Sequence, residues 1–436
     1  MKRKILALLI GICLVFSGCS YSQTGIEALL QPPKLSDQQN EIYQALTKDA
    51  GTDIRLKYPR TGDFTSAFLI ADIDNESTQE AFVFFEDTNS VNATMTLRIN
   101  VLDQINGEWV SVYEAGVAAT EVHKINFVQS NQTTFVVVGF TLSGGERMLA
   151  VYQYRDGRLV ETERMTCQEY VTANLDGDNF SEIFAVTSES GRKSVQAFLI
   201  SSQGRLRPMG STDMDPMVTA YRSVTVGALE GGKQAIFLDG ISGVDRYTTE
   251  VLVYDEGSVE NLIYSVEEEK NLIEETRRHN AVYCRDVDND GEIEIPTRLI
   301  AEGYEETATY ETEYFTRWFV CTNEGELKTK TLSYVSSTLG FLFRIPDKWL
   351  GKVTPVFSPA DSELTFYRYD GENTEPTVKL LSIRMFRSNE FHEGISDYRT
   401  LRENGQIVYA QKTYDEDKKL ALDNETIQAC FGLYVQ

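Results

Sequence analysis

The sequence has few of the residues on which catalytic and nucleic-acid-binding sites depend. Its 436 residues include three histidines, and 41 basic side chains stand against 66 acidic ones, which gives a net charge of −25. Because no basic patch is available to neutralise phosphates, a nucleic-acid partner is not expected. The sequence also lacks a nucleophile elbow, a zinc-protease motif and a phosphate-binding glycine loop. No residue is therefore predicted to be catalytic.

Cysteine is also scarce, and its spacing does not support a zinc site. Cys167, Cys284, Cys321 and Cys430 lie far apart and form no CxxC pair. Three of them adjoin strand-like runs, which favours buried free thiols. A disulfide is the alternative in a compartment that permits one.

The N-terminus has the pattern of a secretory signal. Basic residues 2–4 precede an apolar run over residues 5–16, which is typical of a signal peptide and too short to span a bilayer comfortably. The run ends in Phe16-Ser17-Gly18-Cys19, which resembles the lipobox of bacterial lipoproteins. The alternative is an ordinary cleaved signal peptide with an incidental cysteine.

The resemblance to a lipobox implies cleavage before Cys19 and attachment of a diacylglyceryl group to its sulfur. Residues 1–18 are then a lipoprotein signal peptide, and residues 19–35, with Pro32 and Pro33, a tether. Two acyl chains are enough for stable anchoring. The protein is therefore expected to be extracytoplasmic, on the outer face of the bacterial cell membrane, with that membrane as a partner.

After the tether, a short N-terminal segment precedes a repetitive region. Residues 36–65 are predicted to form a helix and a strand, because Ser36 and Gln39 make a capping box and Gly51 follows an apolar stripe. A chain of this length is too long for a single ordinary core, so it forms two or more domains unless it has a repeat architecture. Residues 66–335 supply such a repeat.

The repeat is recognised by a hairpin turn that occurs five times. Its glycine supplies the positive φ that a tight hairpin needs, and an apolar residue two places later begins the outgoing strand. The glycines are Gly107, Gly157, Gly204, Gly257 and Gly325. Each repeat predicts strand, loop, strand, longer connection, strand, turn and strand, which is the unit of a β-propeller blade. A pair of sandwiches or a solenoid is the alternative.

Three repeats also carry an acidic loop before the turn. Oxygen-bearing side chains stand at loop positions 1, 3, 5 and 9, from which a tightly curled chain can direct them to one hard cation. The predicted metal ligands are Asp72, Asp74, Glu76 and Glu80; Asn174, Asp176, Asp178 and Glu182; and Asp286, Asp288, Asp290 and Glu294. The alternative is an acidic, solvent-facing turn without an ion.

These loops, with following runs such as Ala81-Phe82-Val83, resemble the FG-GAP/VCBS repeats of integrin-type propellers. The resemblance covers residues 66–335 and implies that the acidic loop joins the first two strands of a blade and can hold calcium. The second and fourth repeats have almost no ligands at this place, in residues 125–128 and 226–232. Those blades are expected to keep their strands and to lack the ion.

An EF-hand is excluded for all three loops. It would need a glutamate at position 12 and flanking helices, whereas position 12 is Val83, Ala185 or Thr297, within strand-like runs. The predicted cofactor is therefore Ca2+ in a structural role, holding strands together.

One segment after the third loop is dense in aromatic residues: Tyr304, Tyr310, Tyr314, Phe315 and Trp318. Packing within strands is favoured for these side chains. A platform for sugar rings or for a partner protein is the alternative.

Residues 336–436 follow a different pattern and predict a small C-terminal α+β domain, with a sixth blade as the alternative. The predicted fold class is thus mainly β, a β-propeller of about five four-stranded blades. The expected function is that of a lipid-anchored binding or scaffold protein at the cell envelope, with a protein or glycan ligand. The alternative is an extracytoplasmic enzyme that acts on polysaccharide.

Overall fold

The computed structural model describes residues 35–76, 78–88, 95–255, 257–308, 311–371 and 376–434. The predicted signal peptide, the lipidation site Cys19 and the tether up to residue 34 lie outside the described residues. Among the residues described, no helix combines the length and the apolar character needed to cross a membrane.

Helix α1 (Asp37–Ala50) begins and ends where the sequence predicts. The Ser36 hydroxyl accepts a hydrogen bond from the Gln39 backbone N–H (3.2 Å), and the Gln39 side chain accepts one from the Ser36 N–H (3.0 Å). Gly51, with φ of 83°, follows its last turn. The buried side chains Ile42 and Leu46 pack in a cluster with the first sheet. The predicted capping box is therefore confirmed.

The chain then forms four antiparallel sheets in which strands follow one another in chain order. The first contains β1 (Ile54–Lys57), β2 (Phe68–Ala71), β3 (Glu80–Asp87), β4 (Leu97–Ile105) and β5 (Glu108–Val117), with β1 and β2 both paired to β3. The second contains β6 (Glu121–Ser130), β7 (Thr133–Thr141), β8 (Arg147–Arg155) and β9 (Arg158–Cys167). The third contains β10 (Glu169–Ala173), β11 (Glu182–Glu189), β12 (Arg192–Ile200) and β13 (Leu206–Asp213). The fourth contains β14 (Ala220–Ala228), β15 (Gln234–Ile241), β16 (Tyr247–Asp255) and β17 (Ser258–Asn261).

Two further sheets follow a small hairpin of β18 (Tyr264–Ser265) and β19 (Lys270–Asn271) and a 3-10 turn (Ile273–Thr276). The fifth contains β20 (Ile295–Ile300), β21 (Tyr314–Cys321), β22 (Leu327–Ser336) and β23 (Phe341–Arg344). The sixth contains β24 (Val353–Ser358), β25 (Glu363–Arg368), β26 (Lys379–Arg387), β27 (Arg399–Asn404) and β28 (Ile407–Thr413), in the order β24-β25-β26-β28-β27. Further 3-10 turns lie at Asp347–Trp349 and Ile395–Asp397. Helix α2 (Asn424–Cys430) leads into β29 (Phe431–Leu433), which joins the fifth sheet beside β23.

The predicted turn glycines all have positive φ, between 72° and 85°. In the first four sheets each lies between the third and fourth strands of the meander, as the repeat predicts. In the fifth sheet Gly325 lies between β21 and β22, which therefore correspond to the third and fourth strands of the repeat. Strand β20 then corresponds to the second strand. The first strand of that repeat is reduced to a single bridge between Arg285 and Glu294.

The buried core is divided among clusters that join sheets adjacent in the chain. One cluster is shared by the first and second sheets, and others by the second and third, the third and fourth, the fourth and fifth, and the fifth and sixth. Within the described ranges, none of these clusters joins the first sheet to the fifth or sixth. The mainly β fold class with four-stranded antiparallel sheets is confirmed, and the number of blades in a ring stays a prediction.

The fifth and sixth sheets are connected more closely than a simple linker would allow. Strand β22 crosses the predicted boundary at residues 335 and 336 and pairs with β23. The sixth sheet is inserted between β23 and β29, and the core beneath it includes Phe341 and Phe343 of the fifth sheet. The domain boundary between residues 335 and 336 stays a prediction, and the fifth sheet contains strands from both sides of it.

The aromatic and cysteine side chains mostly pack inside this fold. Trp318 is fully buried, and its indole N–H donates to the Ser333 hydroxyl at 2.8 Å, while Phe315 is also buried. Tyr310 lies outside the described residues. Cys167, Cys284 and Cys321 are buried free thiols, and Cys430 is half-buried and also free. The prediction of core packing is thereby confirmed for Trp318 and Phe315, and that of buried free thiols for Cys167, Cys284 and Cys321.

Candidate metal sites in the acidic loops and a charged cavity

The three acidic loops occupy the same place in their sheets. In each, the glutamate at position 9 pairs across an antiparallel ladder with the residue just before the loop. These pairs are Ala71 with Glu80, Ala173 with Glu182, and Arg285 with Glu294. The 1-3-5-9 spacing therefore corresponds to one structural unit that occurs three times.

The position-9 glutamate also closes each loop from the inside. Glu80, Glu182 and Glu294 are buried, with at most 1% of their surface exposed. Each accepts a hydrogen bond from the backbone N–H at position 2, at 2.9 Å from Ile73, 3.3 Å from Leu175 and 2.8 Å from Val287. One carboxylate oxygen of each glutamate is thus engaged by backbone.

A left-handed residue at position 4 turns each loop back on itself. Asn75, Gly177 and Asn289 have φ of 60°, 74° and 63°, a conformation that glycine and asparagine tolerate best. Their N–H groups donate to the position-1 side chains at 2.8, 2.8 and 2.6 Å. This Asx-type turn folds the loop back over its position-1 side chain.

Most of the predicted ligands are brought together. Carboxylate oxygens lie within 4.8 Å of one another in three groups: Asp72, Asp74 and Glu80; Asp176, Asp178 and Glu182; and Asp286, Asp288 and Asp290. Glu76 and Glu294 are outside the groups of their loops. Asn174 instead braces its loop, because its amide donates to the Asp178 carbonyl. Oxygen-only groups of this kind suit Ca2+ or Mg2+.

The first two loops hold a buried carboxylate without a basic partner. Burial, reinforced by the nearby charges of Asp74, Asp103 and Asp72, raises the pKa of Glu80 to about 7 against the hydrogen bond from Ile73. Burial likewise raises the pKa of Glu182 to about 7, with Asp176 and Asp178 adding to it. Among the described residues, Glu80 Oε1 has no hydrogen-bond partner. Both loops therefore favour the arrival of a cation.

The third loop already contains a cation, the ammonium group of Lys330. Its Nζ contacts Asp290 and lies 3.0 Å from Glu292, 3.1 Å from Glu294 and 3.8 Å from Asp288. Burial lowers the pKa of Lys330, but hydrogen bonds to Asp290, Glu292 and Glu294 outweigh burial and raise it. The negative charge of the loop that matches the calcium pattern most fully is thus partly offset by a basic side chain.

A β-bulge places Lys330 there. Thr331 pairs with Trp318 and Thr329 with Phe319, so Lys330 is the extra residue of β22. A bulge changes the direction in which the side chain of its extra residue points. The first and third sheets have the same bulge in β5 and β13, with Val112 and Met209 as the extra residue. The equivalent position is therefore apolar beside the two loops without a lysine.

A second polar feature is a cavity between the first strands of the second, third and fourth sheets. It has a volume of about 520 Å³ and is lined from β6, β8, β10, β14 and the segment 61–63. Its charged lining residues are Asp63, Lys124, Arg147, Glu169 and Arg222, together with His123. This size lies in the range of about 300–1,000 Å³ typical of small-molecule sites.

Glu169 is the centre of the charge cluster in this cavity. It is 5% exposed, and its carboxylate lies 3.3 Å from His123 Nε2 and 2.7 Å from Lys124 Nζ, and it is also paired with Arg147. Burial alone raises the pKa of Glu169, but the hydrogen bond from His123 and the charge of Lys124 outweigh burial and lower it to about 2. The carboxylate is therefore ionised and shared by three basic groups.

Sequence reasoning missed both Lys330 and this cluster. His123 and Glu169 lie 46 residues apart and meet only because β6 and β10 are adjacent. A signal for Lys330 did exist, because it stands five residues after its turn glycine, as Val112, Thr162 and Met209 do after theirs. The predicted metal residues, in contrast, are all within one loop each.

Comparisons with known proteins give a distant likeness in structure. No protein-family model matches the sequence, and no curated protein matches it. The chain is similar to a periplasmic gluconolactonase of Pseudomonas aeruginosa (14% identity, 75% of this chain and 88% of that one, TM-score 0.34). It is also similar to the exotype rhamnogalacturonan lyase YesX (10% identity, 73% of this chain and 73% of that one, TM-score 0.31). A third similar structure is a rhamnogalacturonan lyase of Bacillus licheniformis (10% identity, 74% of this chain and 76% of that one, TM-score 0.32). At these TM-scores the likeness carries no argument about function, so the fold class rests on the sheets themselves.

Proposed function

We propose that this protein is a lipid-anchored binding or scaffold protein on the outer face of the bacterial cell membrane, held there through Cys19. Its repeats are of the FG-GAP/VCBS type, and calcium stabilises the sheets that carry free acidic loops. The observation that supports this proposal is the pair of loops at residues 72–80 and 174–182. Each gathers three carboxylates, one of them a buried glutamate, and among the described residues none of these six forms an ion pair with a basic side chain.

The ion in these loops has a structural role. Asp72 and Asp176 stand where one strand ends, and Glu80 and Glu182 where the next begins. A divalent cation that bridges them fixes the first two strands of a sheet and relieves the repulsion among carboxylates. At residues 286–294 calcium competes with Lys330, so this loop binds the ion more weakly.

Chelation tests the calcium part of the proposal. A soluble form beginning at residue 20 is unfolded by heat in excess Ca2+ and in EGTA. A site filled at 100 times its Kd contributes about 2.7 kcal/mol, so EGTA lowers the Tm by several degrees. An unchanged Tm would count against bound metal. Mg2+ at the same concentration is the control for ion selectivity.

Metabolic labelling with a fatty acid tests the anchor. The full chain incorporates label and partitions into the membrane fraction, and the Cys19→Ser variant does neither. A glycan array and an envelope pull-down with the soluble form then test binding. Retention of a partner without conversion of that partner supports a binding protein.

A second candidate is an extracytoplasmic enzyme that acts on polysaccharide. The observation in its favour is His123 beside Glu169 in the cavity, a pair of groups that can carry a proton. Incubation with a panel of polysaccharides distinguishes the two functions. Product formation that is lost in Glu169→Gln, in a variant that stays folded, would favour the enzyme.

A further inference from the structure

We infer that the cavity between the second, third and fourth sheets binds a hydroxylated monocarboxylate, such as a sugar acid. The inference names the ligand class of the binding function proposed above, and it rests on that function. It uses residues that play no part in the acidic loops. Three observations support it, namely the charge of the lining, an amide oxygen without a partner, and the apolar walls.

The charge of the lining favours a single negative charge. Three basic side chains, Lys124, Arg147 and Arg222, line the cavity together with two acidic ones, Asp63 and Glu169. Lysine and arginine thus outnumber aspartate and glutamate by one, in a protein whose net charge is −25. Because the walls exclude part of the solvent, this excess acts more strongly on a ligand than it would at the open surface.

Arg222 is the group left to receive the ligand. Lys124, Arg147 and His123 all converge on Glu169. Arg222, by contrast, is exposed on β14 and makes no hydrogen bond or ion pair with the residues described. A guanidinium with both edges free suits the two oxygens of a carboxylate.

Asn126 adds a requirement for hydroxyl groups. It lines the same cavity, and its buried side-chain oxygen has no hydrogen-bond partner in the described part of the chain. A buried acceptor of this kind costs roughly 1–3 kcal/mol until a donor reaches it. A carboxylate alone donates no hydrogen bond, whereas a sugar hydroxyl does. Thr61 and Thr172 supply further polar contacts.

The remaining walls suit the carbon skeleton of a ring. Val171, Val224 and Val226 line the cavity with apolar surface. Tyr221 contributes ring surface only, because its hydroxyl already donates to Glu250 at 2.9 Å. A ligand with one carboxylate, several hydroxyls and an apolar ring face matches all three kinds of lining.

Calorimetric titration of the soluble protein with D-galacturonate tests the inference, with D-galactose as the neutral counterpart and inorganic phosphate as a second anion. Galacturonate is expected to bind, and galactose to bind at least tenfold more weakly. Phosphate is also expected to bind more weakly, because it carries no ring and more than one negative charge near neutral pH. Arg222→Ala is expected to weaken galacturonate binding at least tenfold and to leave the Tm unchanged, since Arg222 is exposed and unpaired.

Arg402→Ala is the matched control, because Arg402 is an exposed arginine on β27, in the sixth sheet. It should bind galacturonate as the unmodified protein does. Equal binding of galactose and galacturonate, an unchanged affinity in Arg222→Ala, or no binding of galacturonate would each overturn the inference. The EGTA and labelling tests do not involve Arg222, so they judge the proposed function separately. An envelope partner that is retained by a protein that binds no galacturonate would overturn this inference alone.

Discussion

The loops at residues 174–182 and 286–294 have nearly the same backbone and differ in the presence of an internal cation. Both have a left-handed position 4, an Asx-type turn and a buried glutamate bonded to the N–H of position 2. In the second of them Lys330 lies among the carboxylates, whereas the first has Met209 at the equivalent bulge. The comparison teaches that a calcium-type loop can keep its shape with an internal cation.

The same contrast separates buried carboxylates elsewhere in the protein. Glu169, surrounded by His123, Lys124 and Arg147, has its pKa lowered to about 2. Glu80 and Glu182, without a basic neighbour, have theirs raised to about 7 by burial. Burial also raises the pKa of Glu294 to about 7, although Lys330 lies beside it. A single basic neighbour therefore does not offset burial as the three around Glu169 do.

The largest effect is expected from removing the internal cation. Lys330→Met leaves Asp288, Asp290 and Glu294 crowded without a counter-charge, and we expect a loss of about 3–5 kcal/mol in EGTA. Urea unfolding measures it, and excess Ca2+ should recover most of the loss. The control is Lys328→Met on the same strand, whose ion pair with Glu230 is exposed and whose loss should hardly change the stability. Equal losses in the two variants would remove the distinction between the loops.

Glu169 offers a pH test of the paired carboxylate. Its pKa is lowered from 4.5 to about 2 in the folded state, so its stabilising contribution is present above pH 4.5 and is lost as the pH falls toward 2. Glu169→Gln is expected to cost roughly 3 kcal/mol at pH 6 to 7, because it leaves Lys124 and Arg147 without their carboxylate. Denaturant unfolding from pH 7 to 2.5 should show the difference between the two proteins shrinking with acid. A difference that does not vary with pH would contradict this assignment.

Removing the buried glutamate of a free loop should act through calcium. In Glu182→Gln we expect the stabilisation by saturating Ca2+ to fall by about 2.7 kcal/mol, the contribution of one site at 100 times its Kd. Unfolding with and without EGTA gives this quantity directly. Glu294→Gln serves as the counterpart, because its loop is neutralised by Lys330 and its calcium response should change little. If Glu294→Gln lost more calcium stabilisation than Glu182→Gln, the ion would have to bind in the third loop instead.

The smallest effect is expected from transferring the lysine. Met209→Lys puts an ammonium at the position of the third sheet that Lys330 holds in the fifth, and it should reduce calcium stabilisation with a net change of about 1 kcal/mol. Calcium titration followed by Tm measures the response. Met209→Gln, of similar length and neutral, should keep the full response. If both variants respond alike, the bulge position does not decide how the loop is neutralised.

Features that are local in sequence could be predicted, and those that depend on strand register could not. The turn glycines and the three loops were found because each is complete within about ten residues. The reduction of the fifth repeat's first strand to one bridge at Arg285 was not visible, since strand-like composition does not show which residues pair. Lys330 stands 36 residues after Glu294, and its role depends on a bulge in β22.

The cavity shows the same limit more strongly. Its lining comes from three sheets and the segment 61–63, so no motif in the sequence marks it. His123 stands in no recognisable motif, and only the adjacency of β6 and β10 brings it to Glu169. A repeat count alone cannot reveal which inward-facing side chains are charged.

The insertion of the sixth sheet between β23 and β29 has a mechanical consequence. The sheet is attached to its neighbour by two adjacent strands, so a pull on it is shared by both attachments. Rotation about a single hinge is thereby suppressed, and a cut in one connection leaves the other in place. Tyr434, whose hydroxyl donates to the Ala281 carbonyl at 3.1 Å, fastens the returning strand at a third point. A force applied to the sixth sheet would therefore be transmitted to the fifth sheet through several attachments at once.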